Sequence, residues 1–158
     1  MDPEMATPLP RLLAERASWK TSGRRVVLTN GCFDLLHAGH VALLEAAKAE
    51  GDILVVAINS DRSVREIKGP LRPAIPEAER AETLLALEPV DRVVIYHEPT
   101  PATLIRTLLP DILVKGADWE LDDIVGKSDV EAAGGRVVRA QLVPGKSTTA
   151  MVERIRRP

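Results

Sequence analysis

The chain has 158 residues, of which 45% are hydrophobic, 28% charged and 3% aromatic, with 21 Lys+Arg against 23 Asp+Glu for a formal charge of −2. This is a single-domain length, and the near-neutral balance excludes the broad basic surface of a protein held to DNA or RNA by many phosphate contacts. A lone cysteine, Cys32, excludes an intrachain disulfide and a Cys-based zinc cluster, and the longest aliphatic run, Ile53 to Ile58, falls far short of the roughly 20 residues of a bilayer span.

Residues 1–7 read as a loose start. Leu9, Leu12, Leu13, Ala17 and Trp19 then recur at helical spacing up to Ser22-Gly23, which predicts a first helix. Val26–Thr29 is a short β-branched run and the first strand. Thr29 to His40 is a polar, Gly-containing turn leading into a helix over Val41–Glu50, closed by Gly51. Ile53–Ile58 is the second strand. The connection after it is long, with Arg62, Arg65, Lys68, Arg72 and Arg80 nearly balanced by Asp61, Glu66, Glu77 and Glu79. Within it, Lys68-Gly69-Pro70-Leu71-Arg72-Pro73 reads as a broken loop placed to close over phosphates as a lid.

A helix over Glu77–Leu87, with Ala78, Ala81, Leu84 and Leu85 on one face, leads to the third strand, Arg92–Tyr96. Pro101–Leu109 is predicted as a helix with Thr100 as N-cap and Pro110 as stop, and Ile112–Lys115 as the fourth strand. Ser128-Asp129-Val130-Glu131 reads as a capping box opening a short helix that Gly134-Gly135 ends. Arg136–Arg139 is the fifth strand, a last helix starts near Thr148, and Arg154–Pro158 is a basic, frayed end.

Strands without in/out alternation, separated by helices of about ten residues, predict one α/β domain: a five-stranded, mainly parallel, doubly wound sheet with helices on both faces. In such sheets ligands bind beyond the carboxyl ends of the strands, where the strand order reverses. After the first strand come His37 and His40, three residues apart at a helix start, where orphan backbone N–H groups and the helix dipole favour an anion. Gly31 permits a tight turn and Gly39 leaves room for close approach, so the segment reads as a phosphate cradle with two added donors. The plain alternative makes the histidines caps or core residues; a three-His metal site with His97 is a lesser one, because His97 follows a different strand.

No G-x-G-x-x-G occurs, and Val143-Pro144-Gly145-Lys146-Ser147-Thr148 only imitates a P-loop, since Ala140 stands where its first glycine belongs. Ser147 or Thr148 serves there as a helix cap or a phosphate contact. After the fourth strand, Lys115-Gly116-Ala117-Asp118-Trp119 faces the histidine turn if strands one and four flank the switch point. Trp119 then covers a base or sugar or plugs the core edge, and Asp118 holds a ribose hydroxyl or caps a turn. Lys48 lies about 16 Å along the helix from His37 and belongs to the sheet's flank. Cys32 has no positioned base and reads as a small turn residue.

Asn30-Gly31-Cys32-Phe33-Asp34-Leu35-Leu36-His37-Ala38-Gly39-His40 resembles the G-x-F-D-x-x-H-x-G-H signature of the cytidylyltransferase-like nucleotidyltransferases. Together with Lys68-Gly69, Arg72-Pro73, Pro110 to Gly116, Ile124-Val125-Gly126 and Ser147-Thr148-Thr149, it is similar, over roughly residues 9–156, to the heptose 1-phosphate adenylyltransferase family. That resemblance implies transfer of AMP from ATP to D-glycero-β-D-manno-heptose 1-phosphate, giving ADP-heptose and pyrophosphate for lipopolysaccharide core synthesis.

The lone cysteine, short apolar runs and near-neutral charge predict a cytoplasmic protein with no nucleic-acid or membrane partner, and the resemblance further implies a stand-alone nucleotidyltransferase unit, a homodimer or higher oligomer, acting after a separate sugar kinase and phosphatase. His37, His40 and Lys68 are the implied catalytic residues. Asn30, Gly31, Cys32, Phe33, Gly39, Arg80, Asp118, Trp119, Ser147 and Thr148 are the implied nucleotide contacts. Asp34 and Asp61 are implied to meet Mg²⁺ or the sugar, the ion entering with ATP rather than at a protein-only metal site.

The related glycerol 3-phosphate cytidylyltransferases carry R-T-x-G-I-S-T, whereas here Leu142 stands at the arginine and Lys146 at the isoleucine, leaving Arg139 or Lys146 as substitutes. A cytidylyltransferase or coenzyme-type adenylyltransferase on the same fold is the alternative enzyme, and a non-catalytic nucleotide-binding module the alternative of another class.

Overall fold

The computed structural model describes residues 5–141 and 143–158. The elements run α1 (Leu9–Thr21), β1 (Val26–Gly31), α2 (Ala38–Lys48), β2 (Ile53–Asn59), α3 (Asp61–Lys68), α4 (Glu77–Leu85), β3 (Arg92–Tyr96), α5 (Ala102–Leu108), β4 (Ile112–Gly116), α6 (Lys127–Ala132), β5 (Arg136–Ala140) and α7 (Thr148–Arg156). All four strand pairings are parallel and the order is β3-β2-β1-β4-β5, so β1 is central.

Successive strand residues serve opposite faces. Leu28, Val55 and Leu113 pack with Leu12 and Trp19 of α1, Leu104, Ile105 and Leu108 of α5, and Val130 of α6. Val27, Val56 and Val114 pack with Leu44 and Ala47 of α2 and Ala81 and Leu84 of α4. Burying each such aliphatic side chain contributes about 1.5–3 kcal/mol, which is why the strands read as unbroken apolar runs. Helices on both faces of a parallel sheet make the predicted doubly wound α/β architecture.

Arg16 fastens α1 beneath the sheet, donating to both carboxylate oxygens of Asp111 (2.9 and 3.1 Å) and to Leu109 O (2.8 Å). Lys48 pairs with Asp91 at the opposite end of the sheet from the histidines, the flank position expected of it.

Several local expectations are corrected. Part of the long connection expected after the second strand is helical: Ser60 caps α3 by accepting from Ser63 N, and Gly69, at φ 97°, ends it. Its low apolar content hid it, since Val64 is its one buried aliphatic residue, although the Ser60 cap was there to be read. Thr100 is not the cap of α5; Pro101 occupies the N-cap without a side-chain bond, and Leu109 in the left-handed region closes the helix. Nor does Ser128 cap α6, because Gly126 at φ 86° is the N-cap, two residues earlier, and places Ser128 inside the helix.

At the chain start, Met1 to Glu4 lie outside the described residues, while Thr7 is held, its N–H donating to Val93 O of the edge strand at 2.7 Å. The basic end is helical as far as Arg156. No helix among the described residues is long and apolar enough to cross a membrane.

Candidate active site

The chain leaves β1 toward α2 on one face and enters β4 from α5 on the other, so the crevice between β1 and β4 is the switch point. Leaving β1, the backbone bends sharply at Phe33, whose φ is 47° although it carries a bulky side chain. Its ring is buried against Gly31, where an added Cβ would stand 3.0 Å from it, and lies 5.1 Å from the His40 ring. Phe33 thus forms the floor beneath the histidine.

The two histidines cap one helix reciprocally. His37 is the N-cap of α2 and its Nδ1 accepts from Gly39 N at 3.0 Å, while His40 Nδ1 accepts from His37 N at 3.3 Å. The rings stack with centroids 3.8 Å apart. A backbone N–H pointing at each Nδ1 leaves the proton on Nε2, so each neutral imidazole presents one Nε2–H donor. Gly39 is required by this fold-back, since a Cβ there would lie 2.8 Å from His37 Cε1 and 3.0 Å from Lys146 Cβ.

Burial, with smaller contributions from His37 and Lys68, lowers the His40 pKa from the ordinary 6.5 to about 4. Burial and Lys146 lower that of His37 as well. An unfolded chain therefore binds protons that the folded site refuses between pH 6.5 and about 4. The His40 contribution to stability is intact above pH 6.5 and declines as pH falls toward 4, a trend that melting temperatures across this range, compared with His40→Asn, are expected to reveal as a shallower slope in the variant.

Two clefts share the β1/β4 wall. One, of about 340 Å³, is lined by His40, Lys68, Lys115, Asp118, Trp119 and Thr148 together with Thr29 to Asp34. The second, of about 400 Å³, shares Asn30, Gly31, Cys32, Lys115 and Trp119, and is closed by Asn59, Ile67, Tyr96, Pro99 to Pro101 and Val125. Trp119 is 43% exposed at the shared rim, with Lys115 Nζ 5.0 Å from its ring centroid. Ser147 caps α7 by accepting from Ala150 N, and Thr148 Oγ1 donates to Leu35 O at 3.4 Å, tying α7 to the histidine turn. Among the resemblance-implied residues, Asn30, Gly31, Cys32, Phe33, His40, Lys68, Asp118, Trp119 and Thr148 converge on these clefts. His37 and Gly39 line neither cleft; they belong to the α2 cap, where the His37 ring stacks on that of His40.

Three implied contacts are corrected. Arg80 is 1% exposed, and its guanidinium binds Cys32 O (2.6 Å), Asn59 O and Asp61 Oδ1 (both 2.8 Å) and Ile75 O (2.9 Å), so it clamps the floor of the site instead of meeting a nucleotide. The Asp34 side chain is fully buried and accepts from Ala74 N, Ile75 N and Arg72 Nε, pinning residues 72–75. Burial alone would raise its pKa, but these donors outweigh it and hold it below the usual carboxylate range. Asp61 accepts from Glu77 N at 2.8 Å and pairs with Arg80, joining the starts of α3 and α4.

Neither Asp34 nor Asp61 therefore fits a magnesium ion, and no group of three or more His, Cys, Asp or Glu among the described residues is disposed to hold a metal. Asp118, exposed on the first cleft and in no ion pair among the described residues, is the carboxylate that fits one. His97 follows edge strand β3, two strands from β1, away from the other histidines.

Lys115, Tyr96, Asn59 and Lys146 join the site without having been singled out as site residues, apart from Lys146 as a substitute cation. The first three sit on different strands and meet only through the sheet register. Leu142 lies outside the described residues; Lys146 stands next to Gly39 and His37, whereas Arg139 donates to Trp119 O at 3.2 Å.

A doubly wound sheet with reciprocally capped histidines at the β1–α2 switch point defines a nucleotidyltransferase-class domain. The chain belongs to the cytidylyltransferase-like family, whose model matches residues 28–154. It is 56% identical over 140 residues to a bifunctional protein HldE of Mesorhizobium japonicum and 58% identical over 137 residues to that of Geotalea uraniireducens, matches that cover 89% and 87% of this chain. The chain spans 28% of the length of each of these relatives. Among solved structures, a lipopolysaccharide core biosynthesis protein of Thermoplasma volcanium is 30% identical with a TM-score of 0.62, covering 77% of this chain and 98% of that one. A pantoate-beta-alanine ligase of Francisella tularensis, 16% identical with a TM-score of 0.60 over 86% of this chain and 66% of that one, shares the fold.

Proposed function

We propose that the chain is an adenylyltransferase that moves AMP from ATP to a sugar 1-phosphate, D-glycero-β-D-manno-heptose 1-phosphate, releasing pyrophosphate. The observation that carries the reading is the pair of stacked imidazoles, each with its proton on Nε2, at a helix N-terminus where His40 lines the first of two clefts that share a wall. The first cleft, which holds His40 and Lys68, is assigned to the nucleoside triphosphate and the second to its acceptor. The HldE name of relatives at 56–58% identity and the lipopolysaccharide title of the Thermoplasma structure support the sugar.

A phosphate monoester oxygen of the acceptor attacks the α-phosphorus, a new P–O bond forms, and the bond from the α-phosphorus to the bridging oxygen of pyrophosphate breaks. The attacking oxygen is already ionised near neutral pH, so the residues need supply no strong base. Their work is alignment of the two phosphates and stabilisation of charge on the transferring group. His37 and His40 donate to the phosphate oxygens as neutral imidazoles, with the α2 dipole behind them. Lys68, exposed at the end of α3 on the first cleft, faces the leaving pyrophosphate, and Thr148 and Asp118 line the nucleotide side. Asp118 would meet a magnesium ion carried in on the triphosphate, which supplies charge neutralisation there.

A matrix of ATP, CTP, GTP and UTP against heptose 1-phosphate, glycerol 3-phosphate and phosphopantetheine, read by pyrophosphate release, tests this. ATP with heptose 1-phosphate is expected to exceed every other pair by at least tenfold. Preference for CTP with glycerol 3-phosphate would overturn the substrate assignment, and binding without turnover of any pair would overturn the enzyme.

A further inference from the structure

On one face of the sheet the buried residues Leu28, Ala57, Val94 and Leu113 belong to four adjacent strands. Two residues further along each strand, on the same face, stand Asn30, Asn59, Tyr96 and Lys115. The apolar stripe thus turns polar in one step at the carboxyl edge, and these four side chains floor the second cleft.

They are bonded in a single direction. Lys115 Nζ donates to Asn30 O (3.2 Å) and Oδ1 (3.3 Å), Asn30 Nδ2 to Tyr96 Oη (3.4 Å), and Tyr96 Oη to Asn59 Oδ1 (2.9 Å). Asn59 Nδ2 continues to Ser63 Oγ (2.9 Å), and Ser63 Oγ to Glu98 O (2.8 Å). Each of the two amides donates on one side and accepts on the other, so the chain of bonds fixes both amide orientations and holds the ammonium in place.

A lysine largely removed from water ordinarily has a carboxylate partner. Lys115 has none within 4.0 Å among the described residues, and its three N–H donors meet only the two acceptors of Asn30. It is also the one cation among the described residues lining the second cleft, and it lines the first as well. We propose that Lys115 is a catalytic residue that binds the acceptor's phosphate, placing it at the junction of the clefts against the α-phosphate. Burial lowers its pKa against the opposing pull of Asp118, and a bound phosphate would reverse that shift. Tyr96 and Asn30 are positioning residues for it. This assignment rests on the nucleotidyl-transfer reading.

The test separates acceptor from nucleotide. In Lys115→Gln, the KM for heptose 1-phosphate is expected to rise at least tenfold and kcat/KM to fall about 10²-fold, the scale of one lost preorganised donor. ATP affinity by calorimetry is expected to stay within threefold. Tyr96→Phe, which breaks the relay while leaving the Lys115 ammonium present, is expected to raise the acceptor KM severalfold at unchanged ATP affinity. An acceptor KM within twofold of wild type, or an ATP affinity reduced as much as that for the acceptor, would overturn the assignment. Should Lys115→Gln not fold, Lys115→Arg takes its place, with a raised acceptor KM expected and an unchanged one fatal.

Should wild type turn over no sugar phosphate, the adenylyltransferase reading fails separately. The lysine assignment is then decided by calorimetric binding of heptose 1-phosphate and of inorganic phosphate beside an ATP analogue blocked between the α- and β-phosphates. Binding lost in Lys115→Gln supports it, and equal binding or none in wild type and variant overturns it.

Discussion

Replacing His40 by asparagine is expected to lower kcat for pyrophosphate release about 10²–10³-fold while leaving the melting temperature near that of wild type at pH 7. The two halves of this result come from the two ring nitrogens. Nδ1 accepts from His37 N at 3.3 Å and so belongs to the helix cap, a bond that an asparagine Oδ1 in nearly the same place can accept. Nε2 carries the N–H that would donate a hydrogen bond to the transferring phosphoryl group, and asparagine is too short to reach its position. Glutamine, whose amide overlays Nε2 instead, is expected to recover part of the rate at some loss of stability. A His40→Asn protein with full activity would reduce His40 to a capping residue, the plain reading its sequence position also allowed. Measuring kcat and melting temperature on both variants decides between the two roles.

The histidine turn was legible because everything that makes it lies within a few residues: a strand end, two histidines three apart, and a glycine between them. The alternation of strands and helices was legible for the same reason. What sequence misassigned depends on partners far along the chain. Asp34 meets residues 38 to 41 positions away, and Arg80 reaches back 48 residues to Cys32. Each is a charged residue at a motif position, which looks the same on paper whether it faces a ligand or holds a loop.

Lys115 shows the converse. Its acceptor Asn30 is 85 residues away, and only the order β3-β2-β1-β4 brings Asn59, Tyr96, Asn30 and Lys115 into a row. One signal was available: four strand-end residues, each two places beyond a buried aliphatic on the same face, all turn polar. Strand order, which the sequence does not state, was needed to recognise them as neighbours.

Removing the Arg80 guanidinium is expected to be the most damaging single change to stability in the site region. Arg80→Met keeps most of the volume but leaves three backbone carbonyls, of Cys32, Asn59 and Ile75, without its donors, and the Asp61 carboxylate with Glu77 N but no guanidinium. A buried acceptor left unpaired costs about 1–3 kcal/mol, so losing the donors of three carbonyls costs at least about 3 kcal/mol, against a total stability of about 5–15 kcal/mol for a domain. At this chain length that corresponds to a melting temperature lower by roughly 10 °C.

Lysine does not substitute well, because one compact ammonium cannot reach acceptors that the planar fork meets on three sides. A nucleotide contact would give the opposite pattern: an unchanged melting temperature with a large loss of ATP affinity. Since the three carbonyls end β1, end β2 and lead into α4, the expected loss of activity follows unfolding, and Arg80→Met assayed well below its own midpoint with saturating ATP is expected to keep kcat within about tenfold of wild type. An unchanged melting temperature would return Arg80 to the nucleotide site.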